Sequence, residues 1–162
     1  MRATFQFTDP VPGIIHKLKY QGQFALAKPL GELMAESWPS WRAPAELVMS
    51  IPLHPKRKKY RGYNQSELLA RHLCHALDLP GDSRALRRMR NTRPQIDLSP
   101  TDRVTNVAGA FWADGEKVAG KAILLIDDVC TTGSTLSEAA KALLTAGATT
   151  VSAYCLARVV EE

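Results

Sequence analysis

The chemistry of this chain is concentrated in Ile123-Leu-Leu-Ile-Asp127-Asp128-Val-Cys-Thr131-Thr132-Gly133-Ser134-Thr135. Two adjacent carboxylates, Asp127 and Asp128, can accept hydrogen bonds from the paired hydroxyls of a ribose and help hold a magnesium ion. The hydroxyls of Thr131, Thr132, Ser134 and Thr135 add donors, and Gly133 lets the backbone approach a ligand closely. If a helix starts there, its unpaired N–H groups and positive dipole end complete a seat for a phosphate monoester. Together the residues favour a phosphorylated sugar. A plainer reading makes Thr132 or Ser134 a helix cap and the aspartates solvated charges, but it leaves the joint pattern unexplained. A Walker B strand would look similar, yet no G-x-x-x-x-G-K-[ST] occurs in the chain. A phospho-acceptor aspartate pair would leave the hydroxyl-rich turn without a purpose.

Positioning such a site requires a strand before it and a helix after it. Lys121 to Asp128 is a continuous apolar run of the kind found in strands buried on both faces, and Ser134 to Ala146 reads as a helix closed by Gly147. With Thr150 to Leu156 as the next strand, these form a βαβ unit and imply an α/β domain built on a parallel sheet. Ligands of such sheets bind in the crevice beyond the strands' carboxyl ends, where this turn would lie. Upstream, two helices are predicted, one after Asp9-Pro10 carrying Val11, Ile14, Ile15 and Leu18 on one face, and one over Leu26 to Trp38. Glu46 to Pro52 reads as a short buried strand. A polar, basic loop follows, and Asn64 with Glu67 resembles a capping box that opens a helix running to about Asp78. Arg84 to Arg90 and Ala110 to Ala113 are short strand candidates, the second with its turn at Asp114-Gly115. Asn91 to Pro100 reads as a mobile loop, and Ser99-Pro100 as another helix start.

The 162 residues, 45% of them hydrophobic, suffice for a single domain with one core. A net charge of +5 leans toward anionic partners such as phosphates or nucleic acid. No apolar run approaches the roughly 20 residues of a membrane helix, and the opening lacks a secretory pattern, so a cytoplasmic protein is expected. Cys74, Cys130 and Cys155 are too few and too scattered for a disulfide framework or a zinc site. His72 and His75 beside Cys74 read as ordinary helix residues rather than metal ligands. The cluster Lys56, Arg57, Lys58, Lys59 and Arg61 follows a strand end and can project at the same crevice, with a solvated turn or a nucleic-acid contact as the competing readings. A second cluster, Arg84, Arg87, Arg88, Arg90 and Arg93, leads into the predicted mobile loop.

The run Ile123 to Thr135 resembles the phosphoribosyl pyrophosphate (PRPP) motif of type I phosphoribosyltransferases. Ile15-His-Lys-Leu-Lys-Tyr-Gln-Gly, Ile51 to Ala70, Thr92 to Gln95 and Arg103 to Phe111 are similar to the ComF/GntX family. The resemblance implies one type I phosphoribosyltransferase-like domain over 1–162: a helical flank over 1–45, a parallel-sheet core over 46–158, a small hood and a flexible loop. It implies PRPP as ligand and magnesium as cofactor. Asp127 and Asp128 would hold the ribose and magnesium, and Thr131, Thr132, Gly133, Ser134 and Thr135 the 5′-phosphate. Lys56, Arg57, Lys58 and Arg61 would hold the pyrophosphate. Arg88, Arg90 and Arg103 flank the position of the catalytic loop and would assist the leaving group. Family members commonly carry a cysteine-rich zinc-binding segment; with no cysteine before Cys74, no zinc site is expected. Thr131 stands where some purine-using relatives have an acid, which argues against simple purine salvage. Two functions follow from the resemblance. One is transfer of phosphoribosyl to an unidentified nitrogen nucleophile. The other is a non-catalytic PRPP-binding role in DNA uptake during transformation, with the uptake machinery or single-stranded DNA as partner. The oligomeric state stays open.

Overall fold

A computed structural model describes residues 1–38, 45–92 and 100–160. The main sheet has four strands, β1 (Arg2–Gln6), β2 (Leu47–Ser50), β5 (Ala122–Cys130) and β6 (Thr150–Arg158). They run in the order β1-β6-β5-β2, and every pair is parallel. A small antiparallel pair, β3 (Leu86–Arg88) and β4 (Phe111–Ala113), stands apart from it. The helices are α1 (Val11–Tyr20), α2 (Ala27–Ser37), α3 (Pro55–Arg61), α4 (Gln65–Leu77), α5 (Pro100–Val107), α6 (Gly115–Val118) and α7 (Ser134–Thr145). Among the described residues, no helix is long and apolar enough to cross a membrane.

The period-2 alternation of β5 explains why both sheet faces are covered. Ile123 and Leu125 pack with Leu136, Ala139 and Leu143 of α7 and with Leu86, Phe111 and Ala113 of the small sheet. Leu124 and Ile126 face the other way, against Leu18 of α1, Leu30 and Met34 of α2, and Leu69 and Leu73 of α4. Near the carboxyl end of β5 the apolar run stops at the two aspartates, followed by Val129 and Cys130.

Several local readings are corrected. The basic segment after β2 is a helix, α3, rather than a loop: Pro55 pre-sets its first turn, His54 Nδ1 accepts the Lys56 N–H, and Gly62, at φ 86°, closes it. Asn64 does cap α4, its side chain accepting the Ser66 N–H, but Glu67 does not complete a capping box; its carboxylate pairs with Lys58 Nζ at 2.7 Å. Asp114 caps the short α6 instead of making a simple hairpin turn. The opening holds a strand, β1, before its two helices; its mixed, half-buried residues at a sheet edge carry little periodic signal.

Helices α2 and α4 touch through Gly31. A methyl group there would lie 2.6 Å from His72 Cβ and 3.1 Å from the Leu69 carbonyl oxygen. Gly31→Ala gains about 1 kcal/mol of helix propensity, but the overpacking it forces belongs at the upper end of the ~1–3 kcal/mol range. A net loss of about 2 kcal/mol, seen as a fall in Tm of about 5 °C in a thermal melt, is the expected result. An unchanged or higher Tm would show that the two helices separate freely.

Candidate functional site

The end of β5, the turn after it and the start of α7 bring the acidic and hydroxyl residues together. Gly133 sits at φ 79° as the residue before α7, a conformation that glycine adopts without strain. Thr132 Oγ1 and Ser134 Oγ are 2.7 Å apart, and Thr132 Oγ1 also faces the Ser134 N–H at 3.4 Å. Thr131 and Thr132 are exposed, whereas Ser134 is buried. The hollow behind the turn, bounded by Cys130, Gly133 and Leu136, measures about 10 Å³. That is room for one water, so an anion must be received at the turn's open rim.

Asp127 and Asp128 are both buried. Asp127 Oδ1 accepts hydrogen bonds from Ser66 Oγ and from the Asp128 N–H, each at 2.9 Å. Asp128 Oδ1 accepts the Val129 N–H at 2.8 Å, and Lys19 Nζ stands 2.7 Å from Asp128 Oδ2. Burial pushes the Asp127 carboxyl up to about 7, the Asp128 charge adds to the rise, and Lys19 and Ser66 oppose it. Lys19 is held above its usual range by the two aspartates, which outweigh the opposing effect of its burial. The result is a pair of carboxylates with one ammonium between them and solvent.

Arg88 lies close enough to feel both Asp127 and Arg57. Arg57 Nη2 donates to the Thr92 carbonyl at 2.6 Å, and Arg88 Nη2 to Thr92 Oγ1 at 2.5 Å. Arg88 is buried, with its guanidinium 5.4 Å from the Phe111 ring centre. Burial and the neighbouring Arg57 bring its pKa down to about 10, against the pull of Asp127. Arg61 Nη1 donates to Gln65 Oε1 at 2.5 Å. Lys19, Arg57 and Arg61 together border an open crevice of about 780 Å³.

Not every predicted residue points there. Lys56 is exposed, and Lys58 is engaged by Glu67. Arg90 donates to the carbonyls of Asn106 and Ala108 at the end of α5, so its guanidinium is spent on a helix terminus. Arg103 lies on α5, its side chain outside the described residues, as does most of the predicted loop Asn91 to Pro100. Lys19 and Ser66 belong to the site without having been singled out: Lys19 lay in a stretch read for its apolar face, and Ser66 beside a helix cap. Among the described residues, no group of three His, Cys, Asp or Glu side chains could hold a metal by itself.

The phosphoribosyl transferase domain family matches residues 61–161. Over 157 residues the chain is 36% identical to the DNA utilization protein YhgH of Salmonella typhi, covering 94% of this chain and 69% of that one. It is 33% identical over 160 residues to Competence protein F of Haemophilus influenzae, with the same two shares. With Competence protein ComFC of Streptococcus pneumoniae it shares 30% over 158 residues, 97% of this chain and 67% of that one. Among solved structures, the fold is similar to the allosteric regulatory enzyme of purine biosynthesis and to the glutamine PRPP amidotransferase from B. subtilis. Each gives a TM-score of 0.55 at 24% identity over 80% of this chain, which spans only 25% and 26% of theirs.

Proposed function

This chain belongs to the phosphoribosyl transferase domain family, in its ComF branch, and on that premise we propose that it binds PRPP in the crevice beyond β5. The observation that carries the proposal is the pair of buried carboxylates, Asp127 and Asp128, at the end of the apolar run of β5, with Lys19 against Asp128 and Arg88 within electrostatic reach of Asp127. Asp127 and Asp128 accept hydrogen bonds from the two ribose hydroxyls. The N–H groups and hydroxyls of Thr131 to Thr135 receive the 5′-phosphate at the rim of the turn. Arg57, Arg61 and Arg88 face the pyrophosphate, with Lys56 and Lys58 as longer-range charge.

Two carboxylates fit magnesium only as an ion that takes its remaining ligands from water and the diphosphate, which is how this cation commonly binds. When bound, it neutralises charge on the pyrophosphate. The proposed reaction is displacement of pyrophosphate from C1 by a nitrogen nucleophile through an oxocarbenium-like transition state. The protein's share is to hold the ribose still and keep cations aimed at the departing oxygens. A second reading is supported by the names of the relatives, DNA utilization protein and competence proteins: a PRPP-binding protein that handles incoming DNA without transfer chemistry.

Calorimetric titration of PRPP with and without magnesium tests the shared premise. Saturable, magnesium-dependent heat is expected, and its absence in a folded chain overturns both readings. Pyrophosphate release across a panel of bases, amines and ammonia then separates them, because turnover selects the enzyme.

A further inference from the structure

The small antiparallel sheet has an open edge. The Met89 N–H donates to the Ala110 carbonyl and the Asp114 N–H to the Ala85 carbonyl, each at 2.8 Å, and Arg87 stands opposite Trp112 between them. Hydrogen-bonded pairs alternate along an antiparallel ladder, so Phe111 and Ala113 turn their N–H and C=O groups away from β3. Among the described residues, no backbone group outside the strand pair meets them. Their side chains enter the core, whereas Trp112 lies on the outer face, 46% exposed, with the Arg87 guanidinium 5.5 Å from its ring centre. Beside the open groups is a hollow of about 370 Å³, bounded by Gly109, Phe111 and Ala113 on one side and by Glu138, Ala142 and Thr145 of α7 on the other. The Gly109 N–H, donating to Glu138 Oε2 at 2.9 Å, closes one end of it.

An edge of this kind is a template for a further strand. We infer that the strand is β4 of a second copy of this chain, running antiparallel about a two-fold axis at Trp112. Phe111 of each copy then lies opposite Ala113 of the other, and the outward N–H and C=O groups of both copies close four backbone hydrogen bonds. Each Trp112 meets its counterpart on the outer face, giving a cross-strand row of arginine, tryptophan, tryptophan and arginine. The charges select this occupant. Arg90, held on the carbonyls of Asn106 and Ala108, makes the amino-terminal end of β4 basic, while Asp114 and Glu116 make the other end acidic. Pairing centred on Trp112 sets Asp114 opposite Ala110 and Glu116 opposite Ala108, so each acidic end meets a basic one. A peptide of uniform charge would meet like charge at one end. The inference goes beyond the PRPP reading and does not rest on it.

Sedimentation over a wide concentration range tests the pairing. The mass of wild type should rise from 17.8 kDa toward twice that value, and Trp112→Lys, which sets two ammonium groups face to face on an exposed surface, should weaken association at least ~10-fold. A second measurement reads the register without depending on that variant. At the two-fold axis the paired Cα atoms stand ~4.5 Å apart, within disulfide reach, so Trp112→Cys should form a reducible dimer under mild oxidation. Met89→Cys, as exposed and on the same face, should not, because three strand spacings, ~14 Å, separate the two copies of β3. Equal association of wild type and a folded Trp112→Lys variant, or equal crosslinking at both positions, overturns the inference. So does wild type that stays monomeric throughout, a result that would leave the edge to an extended segment of another protein.

Discussion

Replacing Asp127 and Asp128 together by asparagine is expected to abolish detectable PRPP binding while leaving the fold intact. Each carboxylate that accepts a ligand hydroxyl contributes on the order of 1.5–3 kcal/mol, so losing both corresponds to a loss of more than ~100-fold in affinity. Calorimetry on the double variant checks this, and wild-type affinity there would remove the ribose assignment. The two single variants should move stability in opposite directions. Asp127 titrates at about 7 in the folded chain against 3.8 for the unperturbed group, so between those values the folded state holds a proton that the unfolded state has released. Stability from this group is complete below about pH 4 and is lost as pH rises through about 7. Asp127→Asn removes that loss, so it should melt higher than wild type at pH 8 and nearly the same at pH 4. Asp128→Asn instead strands Lys19, whose ammonium stands 2.7 Å from the carboxylate, and should melt lower at pH 8. An Asp127→Asn variant that is less stable at pH 8 would mean that its hydrogen bonds from Ser66 and the Asp128 amide outweigh the charge.

Such a carboxylate is a group retained at a cost in stability, which is also why it was legible in the sequence. Two acids ending a continuous apolar strand contradict the local pattern, and contradictions of that kind mark sites. The βαβ unit from β5 to β6 was equally legible, because an apolar run, a helical period and a closing glycine all point the same way. What stayed hidden depends on contacts between distant segments. Lys19 and Asp128 meet only because α1 packs across the end of β5, and Gly31 matters only because α4 lies against it. The basic stretch Lys56 to Arg61 was read as a loop because five cations in six residues suppress any apolar period, while proline and histidine at its start and glycine at its end define a short helix.

Lys19 is expected to be the residue on which the stability of the site depends most. Lys19→Met keeps an unbranched apolar side chain of similar length and removes only the charge. Without it, two buried carboxylates face each other with no cation in contact, and the Asp127 carboxyl, already raised, rises further. Breaking a buried pair costs roughly 3–5 kcal/mol, but about a fifth of the Lys19 side chain still meets solvent, so about 2–3 kcal/mol is the expected loss at pH 8. The sign of the pH dependence separates charge from packing. If repulsion between the acids is the cause, acidification lets the pair take up a proton, and the gap between variant and wild type should narrow on going from pH 8 to pH 5. Urea midpoints at the two pH values, with unchanged m, measure this directly. A deficit of equal size at both would assign Lys19 a packing role. A deficit that closes with acid would show that the ammonium balances the diacid until a cationic or hydroxyl-bearing ligand takes its place, so that part of the binding energy of any ligand is used in displacing it.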